Sequence, residues 1–271
     1  MEPNDRKNSL FLGKKRHFRK KYNIENENKE PKPVTAFIPN ILTLCGMCCG
    51  ITGIHMAINE HCIFAIITVL FAIFFDGIDG RVARKLEATS RFGAELDSLS
   101  DFATFGITPA ICVYVFALHK IGNIGWTIAL LFAMSMALRL ARFNVASIDG
   151  SNHQMFGFAT GVPAPAGAYM LLWPLMIGQW LNMEMNVILY AVWAVIVAGF
   201  TISRIPTFLL KSRKPQSSPQ SLPILLLAIV AILGMAYSYP WFTAVIVGIF
   251  YIFSIFISVR LCNIARKNAA L

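Results

Sequence analysis

Long apolar runs alternate with short polar connections through most of this 271-residue chain. Each run has roughly 17 to 26 residues, enough for a helix to cross a hydrocarbon core about 30 Å thick. The pattern predicts eight spans, at residues 36–57, 61–86, 92–117, 122–146, 163–181, 186–210, 221–237 and 240–264. Period-2 alternation is absent, and a backbone in lipid must satisfy its own hydrogen bonds. We therefore expect an all-α polytopic membrane protein.

The composition supports the same fold class. Hydrophobic residues make up 56% of the chain and charged residues only 14%, with a mean hydropathy of +0.59. A soluble domain of this size carries far more charge. The six cysteines lie in or beside apolar runs, without a second ligand pair or a histidine cluster. Their pattern therefore does not indicate a zinc site.

Basic residues collect on one side of the predicted helices. Ten of the 24 Lys and Arg residues precede Val34, and most of the others follow even-numbered spans or end the chain. Lys120 is the one basic residue left for loops of the opposite face. Because Lys and Arg favour cytoplasmic loops, we expect both termini to be cytoplasmic. The net charge of +10 thus reflects topology and does not indicate a nucleic-acid partner.

Four aspartates interrupt the apolar pattern at the end of the second span and the start of the third. Asp76 and Asp79 are three residues apart, and Asp97 and Asp101 are four apart. Residues at these spacings share a helix face, so two antiparallel helices can bring all four carboxylates to one cavity. An acid near hydrocarbon is costly unless it faces a polar cavity, a counter-charge or a metal. The oxygen ligands predict Mg²⁺ or Mn²⁺, and we expect two ions about 3.5 to 4 Å apart, as is usual for displacement at phosphorus.

Small residues lie among the acids. Gly80, Ala83 and Gly93 leave room where longer side chains would block a ligand. Small residues also permit close packing of membrane helices, which is the alternative explanation for each residue taken alone. Together with the acids, they favour a cavity for a substrate.

The acids and small residues form one ordered motif, D-x2-D-G-x2-A-R-x8-G-x3-D-x3-D, which runs from Asp76 to Asp101. This order resembles the signature of the CDP-alcohol phosphotransferases, and every signature position is filled. The resemblance implies a membrane-embedded enzyme that moves a phosphatidyl or similar group from a CDP-linked lipid to an alcohol, releasing CMP.

The resemblance also implies roles for the motif residues. The metal ligands would be Asp76, Asp79, Asp97 and Asp101. Asp101 would in addition be the general base that takes the proton of the acceptor hydroxyl. The residues that border the CDP group would be Gly80, Ala83, Arg84 and Gly93.

Segments outside the motif are similar to the integral-membrane phosphatidylserine synthases. They are RLARFNV at Arg139–Val145, GFATGVPAPAGA at Gly157–Ala168, and Pro39-Asn40-x2-Thr43 at the start of the first span. Eight spans, two more than the six of the family core, point the same way. The resemblance implies CDP-diacylglycerol and L-serine as substrates, and a homodimer.

A serine acceptor carries a carboxylate, which calls for a cation near the metal site. Arg139 and Arg142 are three residues apart on one face of the fourth span, and Arg204 lies toward the end of the sixth. We expect one or more of them to bind the carboxylate. The alternative is that they anchor the helices at the membrane boundary by extending to the headgroups.

Three other functions use similar residues. A synthase of the same family could take glycerol phosphate or inositol phosphate as acceptor, and glycerol phosphate would require more cationic residues for its phosphate. A membrane prenyltransferase also uses paired aspartates, but Gly80, Ala83, Arg84 and Gly93 do not belong to its pattern. A cation transporter would not call for four acids clustered beside a basic turn.

The resemblance covers about residues 34–215 and predicts three regions. Residues 1–33 form a basic cytoplasmic tail, residues 34–215 form the membrane core, and residues 216–271 form two additional transmembrane helices with a short cytoplasmic C-terminus. The tail lacks the order of a cleavable signal. A site facing the cytosol, without targeting signals, suits a bacterial inner membrane.

Overall fold

A computed structural model describes residues 37–86, 90–148, 154–155, 158–203, 205–208, 230 and 234–269. The predicted tail at 1–33 and most of the predicted span at 221–237 lie outside the described residues. The described α-helices are α1 (Phe37–Ile58), α2 (Cys62–Lys85), α3 (Arg91–Asp101), α4 (Thr108–Phe116), α5 (Asn123–Ile148), α6 (Ala164–Leu181), α7 (Val187–Ile202) and α8 (Pro240–Ala269). A π-helical turn at Phe102–Ile107 joins α3 to α4, and a 3₁₀ turn at Leu118–Ile121 follows α4.

Five helical segments are long and apolar enough to cross a membrane: α1, α2, the continuous run Arg91–Phe116, α5 and α8. Large apolar side chains such as Phe71, Phe74 and Phe250 are more than half exposed on the surface of the bundle. A surface of this kind suits lipid and not water. The prediction of a polytopic, all-α membrane protein is therefore confirmed.

The helix α6 fills the centre of the bundle. Ala168, Leu172 and Met176 on this helix are fully buried. The helix begins at Ala164, directly after Pro163, and Pro165 lies in its first turn. Proline fits there because the first N–H groups of a helix have no partner within it. The predicted start of the fifth span is thus confirmed.

The sequence pattern extends the sixth span too far. We predicted a span over 186–210, but α7 ends at Ile202. Pro206 explains the difference, because proline disfavours helical geometry at the residue before it and cannot donate a backbone hydrogen bond. The chain then continues as a strand.

Three short antiparallel strands were not predicted: β1 (Gln154–Met155), β2 (Phe158–Thr160) and β3 (Pro206–Phe208), paired in the order β1-β2-β3. Strands of two or three residues are too short to produce a readable alternation. Through the pairing of β2 with β3, they join the segment between α5 and α6 to the segment that follows α7.

The π-helical turn lies directly after Asp101. Pro109 has no N–H and cannot donate to the carbonyl of Phe105. The N–H of the preceding residue, Thr108, donates to the carbonyl of Ala103, five residues back, which is the π-helical pattern. The Thr108 hydroxyl donates to the same Ala103 carbonyl at 3.0 Å and to Gly50 of α1 at 3.1 Å. The wide turn is therefore tied to α1, at the base of the helices that carry the acids.

Candidate active site

Three of the four aspartates form a cluster between α2 and α3. Asp76, Asp97 and Asp101 each offer a carboxylate oxygen, and these oxygens lie within 4.8 Å of one another. The carboxyl groups of Asp76 and Asp101 also interact electrostatically with each other. The structure thus brings together residues that lie up to 25 positions apart in the sequence, as the helix-face spacing predicts.

The fourth acid, Asp79, lines the same cleft but has protein partners. Its side chain is 6% exposed. The Thr43 hydroxyl of α1 donates to Asp79 Oδ2 at 3.0 Å, and the Gly80 N–H donates to Oδ1 at 2.5 Å. These contacts fix the orientation of the carboxylate. Asp79 is thus positioned at the edge of the three-acid cluster.

All four aspartates line one cleft, together with residues of α1 and of the π-helical turn. Ser100 Oγ donates to the Thr43 carbonyl at 3.3 Å, which links α3 to α1. The hydroxyl of Thr104 lines the cleft as well, and it has no hydrogen-bond partner among the described residues. The floor of the cleft is therefore built from α1 and the π-helical turn.

The cluster has the chemistry of a hard-cation site. Its ligands are carboxylate oxygens, which Mg²⁺ and Mn²⁺ prefer. Three carboxylates this close repel one another unless a positive charge lies among them. The donor set of Asp76, Asp97 and Asp101 therefore fits a divalent ion.

The predicted CDP-binding residues lie next to the acids, at the end of α2 and the start of α3. Gly80 has open space: a Cβ there would meet only Arg84 Nη1, at 3.6 Å. Gly93 is tighter, because a Cβ would lie 3.0 Å from Asn40 Oδ1. Ala83 is half-buried and Arg84 is exposed. Space for a ligand is thus present beside Gly80, whereas the small size of Gly93 also permits contact with α1.

The predicted acceptor-binding arginines differ in their surroundings. Arg139 is partly buried, and its Nε donates to the carbonyl of Val162. Its guanidinium interacts electrostatically with Asp101 and Asp76. Arg142 is exposed and donates to the Ile202 carbonyl at 2.7 Å. Arg204 lies outside the described residues, so Arg139 is the described arginine that the fold places at the acids.

Two polar contacts of the site were not predicted. The Thr43–Asp79 hydrogen bond had a signal, because Thr43 ends the Pro39-Asn40-x2-Thr43 pattern, but that pattern does not reveal its partner. Asn144 Nδ2 donates to Ser98 Oγ at 3.0 Å and joins α5 to α3 one turn before Asp101. Asn144 belongs to the RLARFNV segment, whose similarity to the phosphatidylserine synthases marks this part of the chain but does not predict the contact with Ser98.

Comparisons with known proteins agree with this geometry. A CDP-diacylglycerol–serine O-phosphatidyltransferase of Mycobacterium bovis is 36% identical over 209 residues, 73% of this chain and 69% of the relative. A protein of the same name from Helicobacter pylori (strain J99) is 34% identical over 49% of this chain and 55% of the relative. One from Bacillus subtilis is 37% identical over 40% of this chain and 62% of the relative.

The family model described as CDP-alcohol phosphatidyltransferase matches residues 36–203, which include the four aspartates and the Arg139 segment. The match extends over more than half of the chain. This chain belongs to the CDP-alcohol phosphatidyltransferase family.

Proposed function

We propose that this protein transfers the phosphatidyl group of CDP-diacylglycerol to the hydroxyl of L-serine, giving phosphatidylserine and CMP. The observation that carries the proposal is the cluster of Asp76, Asp97 and Asp101 with the Arg139 guanidinium beside it. Relatives that bear the name of this activity cover up to 73% of the chain.

A divalent metal is general to the family, and the acid cluster fits one. We propose that Asp76, Asp79, Asp97 and Asp101 hold two Mg²⁺ or Mn²⁺ ions. When bound, such ions neutralise the diphosphate and stabilise negative charge on the departing CMP. Hydrogen bonds from Thr43 and from the Gly80 N–H hold Asp79 at the edge of the three-acid cluster, which supports its inclusion in this proposal.

Asp101 is the proposed general base. A serine hydroxyl is a weak nucleophile until its proton is removed, and a carboxylate within hydrogen-bond reach can accept that proton as attack proceeds. The serine oxygen forms the new bond to the lipid-linked phosphorus, and the bond from that phosphorus to CMP breaks. A direct displacement of this kind requires no covalent enzyme intermediate.

Substrate positions follow from the residues around the acids. The CDP group lies beside Gly80, Ala83, Arg84 and Gly93, where the end of α2 leaves open space. The serine carboxylate pairs with Arg139, which lies next to Asp101. Arg142 was also predicted to bind the acceptor, but it is exposed and donates to the Ile202 carbonyl, so Arg139 is the preferred residue of the two. Arg204 is a further acceptor-binding candidate. The bidentate geometry of a guanidinium suits a carboxylate.

The proposed topology serves both substrates. With both termini in the cytoplasm of a bacterial inner membrane, the acids lie at the cytoplasmic boundary of the bilayer. The lipid donor then reaches the cleft from the membrane, while serine and CMP exchange with water. A homodimer completes the proposed assembly.

The test is CMP release by the purified protein in detergent, with CDP-diacylglycerol and Mn²⁺ or Mg²⁺. Serine, glycerol phosphate and inositol phosphate are compared as acceptors, with Asp101→Asn as the inactive control. We expect release that depends on serine and is lost in the variant. Release with another acceptor alone would overturn the serine assignment, and an active Asp101→Asn variant would overturn the role of the base.

A further inference from the structure

The helix α8 lies outside the region that the family model matches, which ends at residue 203. It is nevertheless fixed against the core helix α6. The Tyr169 hydroxyl donates to the carbonyl of Ala244, and Trp173 Nε1 donates to that of Val245 at 3.2 Å. Gly248 allows this approach, because a Cβ there would lie 2.2 Å from Trp173 Nε1. These contacts set which face of α8 points inward.

Two hydroxyl groups on that inward face are unpaired within the described part of the chain. Tyr251 and Ser258 are seven residues apart, which places them on the same side of a helix. Both hydroxyl oxygens are buried, and neither has a hydrogen-bond partner among the described residues. A buried hydroxyl without a partner destabilises the folded protein, because its hydrogen bonds to water are lost and not replaced. Such a group suits a position where a ligand supplies the missing bond.

The Tyr251 side chain lies within electrostatic range of the arginine of the active site. The guanidinium of Arg139 interacts electrostatically with Tyr251 as well as with Asp101. Its one hydrogen bond within the described part of the chain uses Nε, toward the Val162 carbonyl. The Nη donors of Arg139 and the hydroxyl of Tyr251 can therefore converge on one anionic group.

We infer that Tyr251 is an acceptor-binding residue, whose hydroxyl donates a hydrogen bond to the same acceptor carboxylate that pairs with Arg139. The inference rests on the proposed function, and it gives α8 a role in binding the anionic group of the acceptor. An acceptor without an anionic group would leave both buried donors unpaired. A site built to bind a polar group rejects analogues that lack it for this reason.

The variant that tests this inference is Tyr251→Phe, which removes one oxygen atom and keeps the ring that packs on the core. A hydrogen bond to a charged group contributes about 1.5 to 3 kcal/mol, so we expect the KM for serine to rise about ten- to hundredfold. The KM for CDP-diacylglycerol should stay within about twofold. Initial rates of CMP release, measured with each substrate varied in turn, give both constants.

The matched control is Tyr169→Phe, which removes the hydroxyl that fixes α8 to α6. If Tyr251 only held α8 in place, this control would raise the serine KM by the same factor, and the inference would be wrong. The thermal midpoint without serine supplies a second readout. Loss of an unpaired buried hydroxyl should leave the midpoint unchanged or raise it, whereas loss of a structural hydrogen bond lowers it.

The two proposals fail in different ways. Wild-type protein that releases no CMP with serine contradicts the proposed function itself. Wild-type protein that is active with serine, together with a Tyr251→Phe variant of unchanged serine KM, contradicts the role of Tyr251 alone. A serine KM that rises only in Tyr251→Phe supports both proposals.

Discussion

The acid cleft and the arginine end of the site are built in opposite ways. In the cleft, Asp79 accepts hydrogen bonds from Thr43 of α1 and from the next residue, Gly80. Ser100 donates to the Thr43 carbonyl. The elements that meet there are close in sequence. At the other end, Arg139 of α5 donates to the Val162 carbonyl before α6 and interacts electrostatically with Tyr251 of α8. The Tyr251 hydroxyl has no partner among the described residues.

The difference corresponds to what each region binds. Metal ligands must be held in fixed positions before the ion arrives, because coordination tolerates little displacement. A pocket that selects one small acceptor instead keeps donors unpaired until that acceptor binds. A wrong molecule that cannot pair with these donors then binds weakly. Protein contacts therefore hold Asp79 and Ser100 in the cleft, where the Thr104 hydroxyl alone is buried without a partner among the described lining residues. At the arginine end, the Tyr251 hydroxyl is left for a ligand.

The largest expected effect lies in the cleft. Asp97→Asn removes one charge from the three-acid cluster, and we expect CMP release to fall by about a thousandfold, since loss of charge stabilisation at a reacting phosphate costs several kcal/mol. Mn²⁺ should raise the thermal midpoint of the wild type, because a ligand that binds only the folded state stabilises it. That increase should be lost in the variant.

The control for charge removal is Glu95→Gln, on the same helix but exposed and two residues from Asp97. Residues two apart do not share a helix face. We expect this variant to keep its activity and its response to Mn²⁺. An Asp97→Asn variant with activity within tenfold of the wild type would contradict the proposed metal site.

The next effect separates the two arginines. Arg139→Gln removes the charge that lies beside Asp101, and we expect the serine KM to rise by roughly thirtyfold or more, because losing one partner of a buried charge pair costs at least about 2 kcal/mol. Arg142→Gln should change the serine KM by less than about threefold, since Arg142 is exposed and bonds to the Ile202 carbonyl. Equal effects would contradict the assignment of the carboxylate to Arg139.

The contrast between the two regions also explains what the sequence could predict. Asp76, Asp97 and Asp101 lie on two consecutive helices, so helix geometry and an antiparallel arrangement were enough to predict that their side chains face one another. The structure brings them together. The length and hydropathy of the runs likewise predicted the helices and the membrane fold. These features depend on neighbours along the chain.

Features that depend on tertiary contact could not be predicted in this way. The partner of Asp79 is Thr43, 36 residues earlier, and nothing in the second span reveals it. Tyr251 is one aromatic residue in an apolar run, and its electrostatic interaction with Arg139 depends on the docking of α8 on α6. The π-helical turn involves Pro109 and a hydrogen bond from the Thr108 hydroxyl to Gly50 of α1. The hydrophobic periodicity of the sequence does not predict such a contact.

A smaller effect concerns the packing beneath the cleft. Gly50 of α1 faces Thr104 so closely that a Cβ would lie 2.7 Å from its Oγ1 and Cγ2. Gly50→Ala should therefore destabilise the protein by about 1 to 3 kcal/mol, as overpacking does. Gly199→Ala is the matched control, because a Cβ there meets nothing within 4 Å. Thermal midpoints that fall equally in both variants would contradict close packing at Gly50.

The smallest effect belongs to a charged pair that lies apart from both regions. Lys120 Nζ and Glu184 Oε2 are 2.7 Å apart in connections outside the long helices, and both side chains are largely exposed. The Lys120 ammonium lowers the pKa of Glu184 from its ordinary value of 4.5. A lowered carboxyl pKa means that the pair stabilises the folded state at neutral pH and loses this contribution as the pH falls through the folded pKa.

Solvent screens an exposed pair of this kind, so Glu184→Gln should barely change the thermal midpoint at neutral pH. The small difference from the wild type should vanish in acid, and the serine KM should not change. Thermal midpoints at pH 7 and pH 3, with serine kinetics at pH 7, check this prediction. A Glu184→Gln variant that lost activity as Asp97→Asn does would show that removing any acid impairs the enzyme, and the special role of the cleft would have to be abandoned.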